Sequence, residues 1–224
     1  VTRPRTVPML CVALVAAIIY AVMWLGCCQH WNWLQRCDWS LLDAARDLAA
    51  QHPLWVRFWD GVSLVLGPVP LRLAGVVATA AALVMRNLRA ALVLLACAPL
   101  SGLVTVAAKA LVDRPRPATM LVAADSSSFP SGHALEVTAA TLALLAFLLP
   151  MMGRALGRAA IAVAALNVLS VGIARVSLNV HYPSDVLAGW SLGYLYFLLC
   201  LLVFRPGRPA GRAHAVTAQL PNRG

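Results

Sequence analysis

Charge is what this sequence has least of. Only 12% of its 224 residues are charged, against 61% hydrophobic, where a soluble domain carries about a quarter charged. That composition excludes a water-soluble globule, and disorder as well, since disordered chains are poor in apolar residues. Metal-type cysteine spacing is also lacking. There is no Cys-x-x-Cys and no paired Cys/His run, so a zinc site is not indicated. Cys11, Cys97 and Cys200 lie within apolar runs, which leaves no disulfide framework. Pairing of Cys37 with Cys27 or Cys28 is the open case, for an oxidising compartment. No internal repeat is visible, and lysine occurs once, as Lys109.

What is present in quantity is the long apolar run. About 20 such residues cross the hydrocarbon core as a helix. Six runs qualify: about 9–28, 68–85, 90–109, 131–153, 158–175 and 185–204. The first is too long, and Trp24-Leu25-Gly26-Cys27 too poor a cleavage site, for a signal peptide. The second is interrupted by Gly67-Pro68-Val69-Pro70 and by Arg72, whose stem is expected to snorkel to the interface. The expected fold class is therefore all-α, a polytopic membrane bundle occupying residues 1–204. Residues 205–224 form a basic tail rich in Pro, Gly and Arg, expected to be disordered.

Six spans put both ends of the chain on one side. Ten arginines, from Arg3 to Arg223, fall on that side with no acid among them, so the whole formal charge of +10 lies there. The positive-inside rule makes that side cytoplasmic. The same distribution disposes of nucleic acid as a partner, because the basic residues sit in short juxtamembrane loops. Residues 29–66 then lie outside, and they hold five of the seven tryptophans, a residue that favours the headgroup zone. From Ser40 to Gln51, Leu41, Leu42, Ala45, Leu48 and Ala49 share one helical face, with Asp43, Arg46 and Asp47 opposite. This pattern predicts an amphipathic helix on the outer leaflet.

Ionisable residues at a membrane boundary are costly and need a reason. The hairpin topology delivers Lys109, Arg116, Ser131, His133, Arg175, His181 and Asp185 to the outer ends of four spans. Lys109, Arg116 and Arg175 would repel one another without an anion, and the planar fork of arginine suits phosphate oxygens. Ser131, Gly132 and His133 open a helix whose free amides and dipole favour an anion, and glycine lets a phosphate come close. Two histidines offer a nucleophile and an acid. Asp185 follows His181 by four residues, one helical turn, where a carboxylate can fix the imidazole tautomer.

In these residues the sequence resembles the type-2 phosphatidic-acid phosphatase family, integral-membrane lipid phosphatases related to vanadium haloperoxidases. Its first motif reads here as Lys109, six residues, Arg116-Pro117. Its second is Pro130-Ser131-Gly132-His133. Its third is Ala174-Arg175, then His181, then Asp185, with alanine where the family has serine.

The resemblance implies that His181 attacks phosphorus to form a phosphohistidine and that Asp185 orients it. His133 then protonates the leaving oxygen and activates water. Lys109, Arg116, Ser131, Gly132 and Arg175 hold the phosphoryl oxygens. Arg114 is a candidate headgroup contact, and Glu136 a candidate partner of His133 or of a headgroup. The family uses no metal or other cofactor, and the few scattered acids here suit no magnesium cage.

The implied partner is a phosphorylated lipid reached from the membrane. Polyprenyl diphosphate is the first choice, followed by phosphatidylglycerol phosphate and phosphatidic acid, with lipid A phosphates further off. A phosphotransferase and a small transporter are the alternatives, and oligomeric state is left open. Arginine outnumbers lysine 17 to 1 and alanine is abundant, a composition of GC-rich bacterial genomes. The expected location is accordingly a bacterial cytoplasmic membrane with the site facing outside.

Overall fold

A computed structural model describes residues 6–204, with side chains from residue 9 onward; the expected tail at 205–224 lies outside the described residues. The described chain is helical and contains no strand. Its helices are α1 (Thr6–Cys28), α2 (Asn32–Gln51), α3 (Trp55–Val65), α4 (Pro68–Val84), α5 (Leu88–Cys97), α6 (Ser101–Leu111), α7 (Gly132–Leu148), α8 (Arg154–Ser177) and α9 (Pro183–Val203).

Among the described residues, five stretches are long and apolar enough to cross a membrane: Met9–Cys28, Trp55–Val84, Gly132–Met151, Arg154–Ser177 and Pro183–Val203. α5 and α6 meet the same test only as a pair, bent by 42° at the break between them, and make a sixth span when counted as one. Pro99 occupies that break. It has no N–H to donate and its ring collides with the preceding turn, so the helix cannot run through. The second span begins earlier than its apolar run suggested. Trp55–Val65, read as part of an outer segment, leads directly into α4, with Pro68 in the first helical turn where a missing N–H costs nothing.

Spans in a bilayer turn apolar side chains outward, and here Leu10, Val77, Leu103, Leu166 and Leu202 are exposed on their helices. The inward surfaces are built from small residues, which let helix backbones approach closely. α7 is the central helix, touching α4, α5, α6, α8 and α9, and Ala134, Ala139, Ala140 and Ala143 are buried along it. Its seam with α9 is tightest at Gly193. A Cβ there would lie 2.5 Å from the Leu135 carbonyl oxygen and 2.9 Å from Thr138 Cβ.

The amphipathic helix is present, but it begins eight residues before the expected Ser40. As α2 it buries Leu34, Asp38, Leu42 and Ala45, a stripe at helical spacing, and it touches α8 and α9. Leu41 and Leu48 stay exposed, while Asp43 and Arg46 pair at 3.4 Å on the solvent side. The helix therefore faces both the bundle and its surroundings. Cys27, Cys28 and Cys37 are free thiols, so the open disulfide pairing is not made in this structure.

Candidate active site

One end of the bundle collects the end of α6, the start of α7, the end of α8 and the start of α9. A cavity of about 470 Å³ opens there. Lys109, Arg116, Gly132, His133, Arg175 and His181 line it, together with Glu136, Arg72, Asp60 and Asp125. Ser131 and Asp185 stand just behind, buried, and the Ser131 amide donates to the Asp185 carbonyl at 2.9 Å. That bond ties the entry of α7 to the first turn of α9.

The loop before α7 positions two of the cations. Lys109 Nζ donates to Ser126 Oγ at 3.2 Å and to the Ser127 carbonyl. Arg116 spans further: Nε reaches the Ser126 carbonyl at 2.6 Å, and one terminal nitrogen reaches the Val180 carbonyl at 2.6 Å. The same terminal nitrogen lies 3.3 Å from His181 Nε2. A guanidinium is always protonated and can only donate, so Nε2 must accept. Neutral His181 therefore carries its proton on Nδ1, which faces Asp185 Oδ2 at 3.5 Å. The lone pair sits on the nitrogen that points at the cations.

Burial and the positive charge of Arg175 and Arg116 pull the His181 pKa down to about 4, against the opposing pull of Asp185. The ring is thus neutral through the physiological range. Arg175 is held from α8 by Ser63 of α3 at 3.0 Å, and its Nε has no partner among the described residues. Ser131 Oγ, also buried, has none either. An unpaired buried donor is expensive unless a ligand satisfies it, so both atoms suit an anion at this position. The free amides of the first turn of α7 add to the same field. Gly132 has a second reason for its identity, since a Cβ there would meet Thr105 Cγ2 at 2.6 Å.

Two of the candidate residues have partners that the sequence did not indicate. Arg114 does not line the cavity with the other cations. One terminal nitrogen donates to Asp185 Oδ1 at 2.6 Å and to Ser184 Oγ at 2.8 Å, the other to Asp38 Oδ2 at 2.9 Å. Its Cζ lies 3.8 Å over the centre of the Tyr182 ring. Glu136 does line the cavity, but its carboxylate pairs with Arg72 and accepts from Thr105 Oγ1 at 3.1 Å. Arg72 reaches this carboxylate from α4 with its side chain 41% exposed.

Sequence reasoning missed Asp38, Ser63, Arg72 and Ser126 as members of this neighbourhood. Only Ser126 was signalled, by the Ser126-Ser127-Ser128 run before the Pro-Ser-Gly-His motif. The other three lie in helices whose pairing no local pattern encodes.

The family model of the PAP2 superfamily matches residues 90–208, which contain all three motifs. The chain belongs to the PAP2 superfamily. Among relatives of this PAP2 protein is phosphatidylglycerophosphatase B of Bacillus subtilis, 40% identical over 95 residues, 41% of this chain and 46% of that one. The decaprenylphosphoryl-5-phosphoribose phosphatase of Mycobacterium tuberculosis is 38% identical over 95 residues, 40% of this chain and 48% of that one. The matched segment spans about half the length of these relatives. A crystal structure of a transmembrane PAP2-type phosphatidylglycerolphosphate phosphatase from Bacillus subtilis has a similar fold, with a TM-score of 0.70 at 27% identity, covering 87% of this chain and 94% of that chain.

Proposed function

We propose that this PAP2 protein is a membrane lipid phosphatase that works through a phosphohistidine and without a metal ion. The observation that carries the reading is the orientation of His181. Its Nε2 lone pair faces Arg116, its Nδ1–H faces Asp185, and Lys109, Arg175 and His133 line the same cavity. In the first step Nε2 attacks the terminal phosphorus and the bond from that phosphorus to its leaving oxygen breaks, the lipid oxygen in a monoester or the bridging oxygen in a diphosphate. His133 gives that oxygen its proton. Lys109, Arg116 and Arg175 stabilise the charge on the three equatorial oxygens, where transition-state stabilisation is concentrated. In the second step His133 takes a proton from water, the water oxygen attacks phosphorus, and the N–P bond breaks to release phosphate.

The substrate class is a lipid bearing a terminal phosphate or diphosphate. Support comes from the apolar spans around the site and from the relatives, whose names all concern phosphorylated lipids, including lipid A 1-phosphatase of Rhizobium johnstonii at 40% identity over 77 residues. Polyprenyl diphosphate is the first substrate to test and phosphatidylglycerol phosphate the second. The proposed location is a bacterial cytoplasmic membrane. The arginine distribution supports an orientation with both ends of the chain inside and the site outside.

The test is phosphate release by the purified full chain in detergent, with chelator present and His181→Ala alongside. The panel holds polyprenyl diphosphate, phosphatidylglycerol phosphate, phosphatidic acid and a soluble aryl phosphate. Release that survives chelation and disappears in the variant is expected. Equal release by the variant refutes the nucleophile. A new phospholipid in place of free phosphate would make the enzyme a phosphotransferase.

A further inference from the structure

Asp185 presents a problem of charge. Its Oδ1 is 2.6 Å from Arg114, and Arg114 and Asp185 are both buried or nearly so, with side-chain exposures of 12% and 0%. An arginine that close fixes the carboxylate, but it also cancels the negative potential felt by His181 on the other oxygen. That potential matters on the proposed path, because phosphorylation of Nε2 leaves the Nδ1-protonated ring with a positive charge.

The outer helix α2 supplies a remedy. Asp38, 1% exposed, reaches the back of the same guanidinium with Oδ2 at 2.9 Å. Its position is held by the start of α9: Oδ1 accepts from the Ser184 amide at 2.9 Å and Oδ2 from the Ser184 hydroxyl at 2.6 Å. The Tyr182 amide meanwhile donates to Asp185 Oδ2 at 2.9 Å, so both carboxylates are anchored to one helix start. Asp38, Arg114 and Asp185 together carry one net negative charge behind the imidazole.

We propose that Asp38 is a positioning residue that lets Arg114 clamp Asp185 without neutralising it, so that α2 tunes the reactivity of His181 from outside the three motifs. The proposal rests on His181 being the nucleophile. The charged and titratable groups that face His181 are Asp185 from α9, Arg116 from the loop before α7, Arg175 from α8 and His133 from α7. Asp38 acts on it only through Arg114 and Asp185. None of the residues from α2 falls within the segment matched by the family model.

Three variants of the full chain separate a charge effect from a packing effect, measured as pH profiles of kcat/KM on the panel lipid that the wild type hydrolyses fastest. Asp38→Asn leaves the trio neutral, and kcat is expected to fall about tenfold with KM little changed. Arg114→Gln leaves two negative charges, and the acid limb of the profile is expected to move up by about one pH unit. The double variant Asp38→Asn/Arg114→Gln restores a single negative charge, and its limb is expected back at the wild-type position although both clamping bonds are gone.

A merely structural role would move no limb and would make the double variant the worst of the three. A limb unmoved in Arg114→Gln, or a double variant whose limb does not return, overturns the proposal. If Asp38→Asn yields no folded protein, the limb in Arg114→Gln decides alone. A wild type that releases no phosphate, or His181→Ala as active as wild type, would instead overturn the reading of the nucleophile.

Discussion

Replacing Asp185 by Asn exchanges one oxygen for an NH2 group, and the hydrogen bonds around the side chain decide the effect. Oδ1 accepts from Arg114 at 2.6 Å, while Oδ2 accepts from the Tyr182 amide at 2.9 Å and faces His181 Nδ1 at 3.5 Å. An amide has only one acceptor oxygen. Kept toward Arg114, it turns its NH2 on the Tyr182 amide and on His181. Nδ1 must then accept, which moves the ring proton to Nε2 and sets it against the Arg116 donor 3.3 Å away. The nucleophilic lone pair is lost. The reversed orientation sets the NH2 against Arg114 instead.

In hydrolases where a carboxylate fixes a histidine tautomer, this change lowers kcat on the order of 10⁴-fold, and a comparable loss is expected here. Losing one charge-assisted bond to a buried group should also cost about 1.5–3 kcal/mol of stability. The assay is phosphate release at saturating lipid, run well below the melting temperature of the variant so that folding and chemistry are read separately. A folded Asp185→Asn enzyme with kcat within tenfold of wild type would refute the tautomer argument.

The same geometry sets other expected outcomes. Since His181 must be neutral to attack and its pKa is drawn down to about 4, kcat/KM of the wild type should rise with pH through about 4 and be level by pH 6; a limb near 6.5 would contradict the burial. The linked stability has a definite sign. The folded pKa lies below the ordinary 6.5, so the unfolded chain binds the proton first, and stability falls as pH drops from 6.5 to about 4, then no further from this group. Thermal unfolding across that window measures it. Gly193→Val forces side-chain atoms onto the Leu135 carbonyl and Thr138 and should cost about 1–3 kcal/mol. Gly61→Ala, with nothing within 4 Å of the new Cβ, should gain about 0.5–1 kcal/mol from helix propensity; unfolding midpoints that fail to separate these two variants would contradict the tight α7–α9 seam.

Much of this protein is legible along the chain. Membrane spans announce themselves because hydrocarbon accepts only apolar side chains and internally bonded backbone, and each is a local property of about 20 residues. The motif residues were also readable. Hairpin topology sends the ends of four helices to one boundary, and the structure brings Lys109, Arg116, His133, Arg175 and His181 around one cavity. What hydropathy misjudged was continuity. Residues 55–65 contain Arg57 and Asp60 and look like an outer segment, yet they lead straight into α4, because Pro68 permits a helix to start where it forbids one to continue.

The rest belongs to the tertiary structure. Nothing near Asp38 in the sequence shows that it meets Arg114, 76 residues away, or near Arg72 that it meets Glu136, 64 residues away. Such an ion pair is a relation between segments distant in the chain, α2 with the loop before α7 in one case and α4 with α7 in the other, and its existence depends on how those segments pack. The same holds at the α7–α9 seam, where small residues let the backbones approach until Gly193 has no room for a Cβ. Composition and periodicity thus determine which segments enter the membrane and which polar residues reach its boundary. Packing decides which of those residues touch, because a charge excluded from water must find its partner wherever the fold has placed one.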